Sequence, residues 1–182
     1  MHSSIDTGAL CVVFSSRSGN TEKLARVVSS SLSLPGPRRA SDAPPEPGAL
    51  TFFGFWIDKG AMDAESLAFL RRLDAAAAKA GRTARAALFG TMGGDPAGPR
   101  AKKYEKTVRE ALARECPHLA VVSLQLWQGR IAPEVVASLR ALYPLSPATL
   151  RSIKEAAKHP DEKDEASTAA WALEVAAPAP AF

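Results

Sequence analysis

Apolar residues along this chain gather in four short continuous runs, and between them they recur every three or four positions. The first run, Leu10-Cys11-Val12-Val13-Phe14, is rich in β-branched residues and predicts a buried strand of the kind found inside a parallel sheet. Residues 21–32 carry Leu24, Val27 and Val28 at helical spacing. Residues 33–48 hold five prolines, which leaves room for a short edge strand at most. A second strand is expected over 50–56, then a helix over about 63–80 with Leu67, Leu70 and Leu73 on one side, ended by Gly81. A third strand is expected over 85–89, a glycine-rich loop over 90–98, a helix over 99–114 and a fourth clear strand over 119–127. Three further helices, over 133–142, 147–158 and 161–175, each start at or beside Pro or Asp.

Strand and helix alternate, with connections too long for hairpins, which predicts a parallel sheet covered on both faces. The expected fold is α/β, a doubly wound three-layer sandwich. A single domain is expected over 9–176, with tails at 1–8 and 177–182. In such folds ligands bind at the carboxyl ends of strands, so the loops after the strands should carry the chemistry.

Composition narrows the field. The chain has 182 residues, long enough for one proper core, and 46% of them are apolar, which argues against disorder. No stretch approaches the roughly 20 apolar residues of a membrane span. The first residues have neither a basic start nor an apolar core, so no signal peptide is read there and a cytoplasmic setting is expected. Two cysteines, Cys11 and Cys116, are too few for a disulfide scaffold or a cysteine zinc site. Net charge is +4, but the Lys and Arg residues are scattered, which gives nucleic acid no obvious face.

The first loop, Ser15-Ser16-Arg17-Ser18-Gly19-Asn20-Thr21, joins the first strand to the first helix. It offers four hydroxyls, an amide, a glycine that permits a close turn, and the N–H groups of a helix start. That inventory suits a phosphate monoester. A nucleotide-triphosphate loop would need G-x-x-x-x-G-K-[ST], and a dinucleotide fold G-x-G-x-x-G; neither string is present. Cys11 and Arg17 have the C-x5-R spacing of cysteine phosphatases, but Cys11 lies within the strand and not in the loop. Helix capping by Ser18 or Asn20 explains one or two of these residues and not the set.

Ser16-Arg17-Ser18-Gly19-Asn20-Thr21 resembles the flavodoxin phosphate motif [ST]-x-[ST]-G-x-T, in its usual place after the first strand. The resemblance implies FMN, its phosphate held by Ser16, Ser18, Asn20 and Thr21, with Ser15 and Gly19 in the same loop and Arg17 pointing outward. The sheet order 2-1-3-4-5 is carried over from that family, with a weak second strand in the proline-rich segment. Beside the flavin ring it implies Phe55, Trp56 and Ile57, with Trp56 able to stack on the ring. It also implies Gly90, Thr91, Met92, Gly93 and Gly94, whose N–H groups suit the carbonyls of the pyrimidine edge. Phe52, Phe53 and Phe55 read as core and helix-packing residues ahead of ligands. Gly-Phe-Trp-x-Asp-Lys-Gly at 54–60, Gly-Thr-x-Gly at 90–93, Gln128-Gly129, and His159-Pro160 with Asp164 resemble a narrower, BilS-type subgroup of flavodoxin domains.

No acid/base constellation is legible. His2, His118 and His159 fall away from the three loops, and G-x-S-x-G is absent. The flavin would therefore carry the chemistry, in an electron carrier serving a larger redox protein. Two other readings remain: an NAD(P)H-dependent flavin or quinone reductase on the same fold, and a flavin-free partner-binding module. Flavodoxins are typically acidic and this chain is not, which predicts a couple less negative than theirs.

Overall fold

The computed structural model describes residues 10–177, so the expected tails lie outside the described residues apart from Ala177. The chain runs β1 (Leu10–Phe14), α1 (Asn20–Ser31), β2 (Arg38–Arg39), β3 (Leu50–Asp58), β4 (Ala61–Met62), α2 (Ala64–Lys79), β5 (Ala84–Met92), α3 (Pro99–Glu115), β6 (Leu119–Gln128), α4 (Pro133–Leu142), α5 (Pro147–Ala156) and α6 (Glu162–Ala176). Five parallel strands lie in the order β2-β1-β3-β5-β6. With the two-residue β4 set aside, this is the expected 2-1-3-4-5. The weak second strand is Arg38–Arg39, parallel to Val13 and Phe14, with both side chains exposed.

Side-chain alternation along the strands divides the core in two. Phe53, Phe55, Leu88 and Leu126 pack with Phe69, Leu70 and Leu73 of α2 and with Val108 and Leu112 of α3. Phe52, Ala87, Phe89 and Trp127 pack with Leu24, Ala25 and Val28 of α1 and Ala172 of α6. Trp171 sits edge-on to Phe52, Phe89 and Trp127, which seats α6 on the sheet beside α1.

Two strands run further than their sequence predicts. β3 continues to Asp58 and turns through Lys59-Gly60 into β4, the one β-hairpin among the described residues. Both turn residues have positive φ, 49° and 89°, the two-residue turn whose twist matches its strands. β5 continues to Met92, so Gly90, Thr91 and Met92 belong to a strand and not to a loop. Gly90 reads as the close of its strand but is a strand residue, as Gly54 is within the strand expected over 50–56. A Cβ on Gly54 would lie 2.5 Å from the Phe89 ring, and one on Gly90 2.5 Å from Leu126 and 2.6 Å from Phe55. These glycines make room for core side chains on neighbouring strands.

Candidate functional site

The carboxyl ends of β1, β3, β5 and β6 bring the three glycine-bearing segments together. At their centre lies the β1–α1 loop. Gly19 is in the left-handed region at φ 85°, with nothing within 4 Å of the position its Cβ would take. The Gly19 N–H donates to Ser16 Oγ at 3.1 Å. Asn20 Nδ2 donates to Ser18 Oγ at 2.9 Å and to the Arg130 carbonyl at 2.8 Å. Behind it, a Cβ on Gly129 would come within 2.7 Å of that same Nδ2, so only glycine lets the segment after β6 close against the loop. A cleft of about 400 Å³ opens beside the loop, between Ser18, Gly19, Asn20 and Lys23 on one side and Arg130 and His159 on the other.

The start of α1 differs from every other helix start among the described residues. α2, α5 and α6 are capped by the side chains of Asp63, Ser146 and Asp161. α3 and α4 lack such a cap but begin with proline, which removes one donor. α1 has neither. The Lys23 N–H is the first to reach a helical carbonyl, that of Gly19 at 3.0 Å. The N–H groups of Asn20, Thr21 and Glu22 thus end at the loop with no side-chain acceptor, an anion-binding arrangement.

Several residues expected to face a ligand are turned elsewhere. Ser15 is buried; its hydroxyl lies 2.8 Å from Asp63 Oδ1 and 3.0 Å from Glu65 Oε2, and its N–H donates to Gly54 O. A hydroxyl between two carboxylates has no place on an anion. Thr21 is buried too, with its hydroxyl 2.9 Å from Thr91 Oγ1 and 3.3 Å from the Phe55 carbonyl, so it pins α1 to β3 and β5. Phe55 is fully buried in the core on the α2 side, and Met92 is 4% exposed in the same cluster, so neither side chain reaches a ring site. Gly90 is a packing glycine and Thr91 is the partner of Thr21. Of that segment Gly93 and Gly94 lie beyond the strand, and Gly93 lies directly under Ile131.

Ser16, Ser18, Gly19 and Asn20 stay at the surface of the loop, half-buried or exposed, and Trp56 and Ile57 are half-buried at the end of β3. Ile57 leans on the core cluster. Trp56 has the Arg17 guanidinium 5.7 Å from its ring centroid, a cation–π contact. Arg17 is exposed as expected, and its Nε also meets Glu134 Oε1 at 3.2 Å.

The residue that sequence reasoning undervalued is Asp63, read there as a helix start alone. It is 2% exposed and accepts from Ser66 N, Ser66 Oγ, Trp56 N and Ser15 Oγ. One carboxylate thereby holds the first loop, the Trp56 backbone and α2 in register. Its capping position was visible in the sequence; its reach across to β1 was not.

The C-x5-R reading fails on geometry. Cys11 lies inside β1 with Sγ 3.4 Å from Thr51 Oγ1, and burial pushes its thiol pKa up, away from thiolate.

This geometry accords with the comparisons. Residues 11–172 match the Flavodoxin domain family. The chain belongs to that family. The flavodoxin-like domain-containing protein BilS of Clostridioides difficile strain CD3 is 26% identical to this flavodoxin domain over 166 residues, 84% of this chain and 88% of that protein. An archaeal flavodoxin superposes with a TM-score of 0.56 at 16% identity, covering 92% of this chain and 95% of its own. Flavodoxin 1 of Bacillus cereus gives 0.52 at 19% identity, covering 91% and 95%. At those identities the structures establish the shared fold. Membership of the flavodoxin family implies a flavin cofactor, typically FMN. Among the described residues of this domain no helix is long and apolar enough to cross a membrane.

Proposed function

We infer that this flavodoxin domain binds FMN and passes electrons to or from a larger redox protein, in the cytoplasm. The observation that carries the reading is the start of α1, the helix that lacks both a capping side chain and a leading proline, set under a loop of hydroxyls with open space at Gly19. Its donors match a phosphate dianion and need no lysine.

Ser16, Ser18, Gly19 and Asn20 would hold the phosphate, helped by the free N–H groups of α1. Trp56 would lie against the flavin ring, and Gly93 and Gly94 would offer N–H groups to it. Ser15, Thr21, Phe55, Gly90, Thr91 and Met92 serve by building the walls. Bound FMN supplies one-electron transfer; the chain's own part is to bind, orient and shield. The Gly54–Gly60 string aligns the chain with the BilS-type subgroup. With a net charge of +4, the flavin couple is expected to be less negative than that of acidic flavodoxins, and an equally negative value in a potentiometric titration would contradict this.

Calorimetric titration with FMN and with riboflavin tests the reading. FMN should bind and riboflavin, which lacks the phosphate, should bind at least tenfold more weakly, the loss of one charge-assisted hydrogen bond or more. Equal affinities, or a protein that takes up neither, would end it.

A further inference from the structure

One part of the molecule is folded without being buried. From Pro133 to Glu155 the chain forms α4, a turn and α5, and not one of these 23 residues is buried. The segment is fastened at its two ends, by Ala132 before α4 and by Ala156 and Pro160 at the close of α5. Helices of ten residues are marginal in water without an apolar face to bury. Each helix carries apolar residues at helical spacing: Val135, Val136, Leu139 and Leu142 on α4, with Tyr143 after it, and Leu150 and Ile153 on α5. Leu142 is 69% exposed, Tyr143 66% and Leu150 42%. The other exposed large apolar residues, Val122 and Leu173, stand singly on β6 and α6.

The hairpin rises at the rim of the candidate flavin site. Ile131, just before α4, covers Gly93, and Glu134 in its first turn holds Arg17 over Trp56. Its carboxylates are already engaged, Glu134 with Arg17 and Glu155 with Lys158. Arg140, Arg151 and Lys154 are left as surplus positive charge around the apolar centre.

We propose that the α4–α5 hairpin is a docking surface for a protein whose own apolar patch is ringed by acidic residues. Tyr and Arg are enriched in protein interfaces, a partner would desolvate the exposed apolar residues, and the charge selects an acidic face. A second copy of this chain would set two positively charged hairpins against each other. A bilayer is the poorer match, since the hairpin has no Trp or Phe and fewer basic residues than the roughly four to eight of a lipid-binding segment. The redox character of the partner rests on the flavin reading above; the surface itself does not.

The test uses the whole chain labelled with ¹⁵N and the soluble haem domain of cytochrome b5 as an acidic-faced redox probe. Amide shifts over 133–158 that vanish at high salt are expected. Arg140→Glu with Arg151→Glu and Lys154→Glu should weaken binding roughly tenfold or more. The matched reversal Lys79→Glu, Arg82→Glu and Arg85→Glu, at the opposite end of the strands, should change it less than twofold. Leu142→Ser with Tyr143→Ser should weaken binding while leaving its salt dependence intact. The proposal falls if the probe shifts no hairpin amide, or if both triple reversals weaken binding alike. It also falls if sedimentation shows a dimer that the Ser variant dissociates, or if phosphatidylserine vesicles bind the hairpin and the probe does not. Electron transfer from the FMN-loaded, photoreduced protein to the probe separates the two readings. Binding at the hairpin without transfer leaves the surface standing and removes the carrier function; transfer indifferent to the hairpin charges does the reverse.

Discussion

The helices α1 and α6 lie side by side on one face of the sheet, yet they begin in opposite ways. α6 starts with a full capping box: Asp161 accepts from Lys163 N and Asp164 N, and the Asp164 carboxylate accepts in return from Asp161 N. Its first turn carries three acidic residues. α1 starts at a glycine with no side-chain cap, and its single first-turn acid, Glu22, is paired with Arg26 and Arg39. A helix that serves only the fold satisfies its own end. One that leaves its end open, among hydroxyls and at the carboxyl edge of a sheet, keeps its donors for something that arrives from outside.

Changes at helix starts test this contrast. The largest effect is expected at Asp63, the cap that also ties β1 and β3 to α2. Asp63→Ala strands the Ser66 and Trp56 N–H groups and the Ser66 hydroxyl, leaves Ser15 with Glu65 alone, and should cost about 3 kcal/mol in urea unfolding. A loss no greater than that of an exposed cap would mean the clamp is idle. Next, Ser18→Asp places a carboxylate at the open end of α1. It should raise the stability of the flavin-free protein by up to about 1 kcal/mol while weakening FMN binding by about 2 kcal/mol, roughly thirtyfold. Calorimetry and denaturation moving in the same direction would break the contrast.

At the other start, Asp161→Ala removes the cap, and should lower stability while leaving FMN affinity unchanged. Donation from the Asp164 and Lys163 N–H groups holds the Asp161 carboxyl below its ordinary value. The folded pKa is the depressed one, so its stabilisation is full above the ordinary aspartate range near pH 4 and fades as the pH falls through the folded value. Melting temperatures of wild type and Asp161→Ala should therefore differ most at pH 6 and draw closer as the pH falls below the ordinary aspartate range. The smallest effect is expected for Thr21→Ala, which removes a bond to Thr91 and should cost about 1 kcal/mol of stability. Its FMN affinity should fall less than that of Ser18→Ala, and the reverse order would put the Thr21 hydroxyl back on the phosphate.

The centre of the sheet was legible because β3 and β5 are buried on both faces and therefore read as apolar runs between glycine- and proline-rich breaks. Strand ends were less so. Gly90 carries the local sign of a break, but it stays in its strand against Leu126 and Phe55, both tens of residues away. The first loop announced itself by hydroxyls and a glycine. Which hydroxyls face outward was settled by partners far along the chain: Asp63 at the start of α2 for Ser15, Thr91 in β5 for Thr21. The helices α4 and α5 were visible from their prolines and periodicity. Their lack of burial was not, because the same spacing serves a helix packed on a core and one that waits for a neighbour.

The bond from Asn20 to the carbonyl of Arg130 spans 110 positions, and Gly129 is the residue that makes the approach possible. The back wall of the cradle is thus laid down after the last strand of the sheet. A chain cut off behind β5 would still spell out Ser16 to Thr21 in full and would still look, to a reader of letters, like a flavodoxin. It would lack the surface against which those residues close.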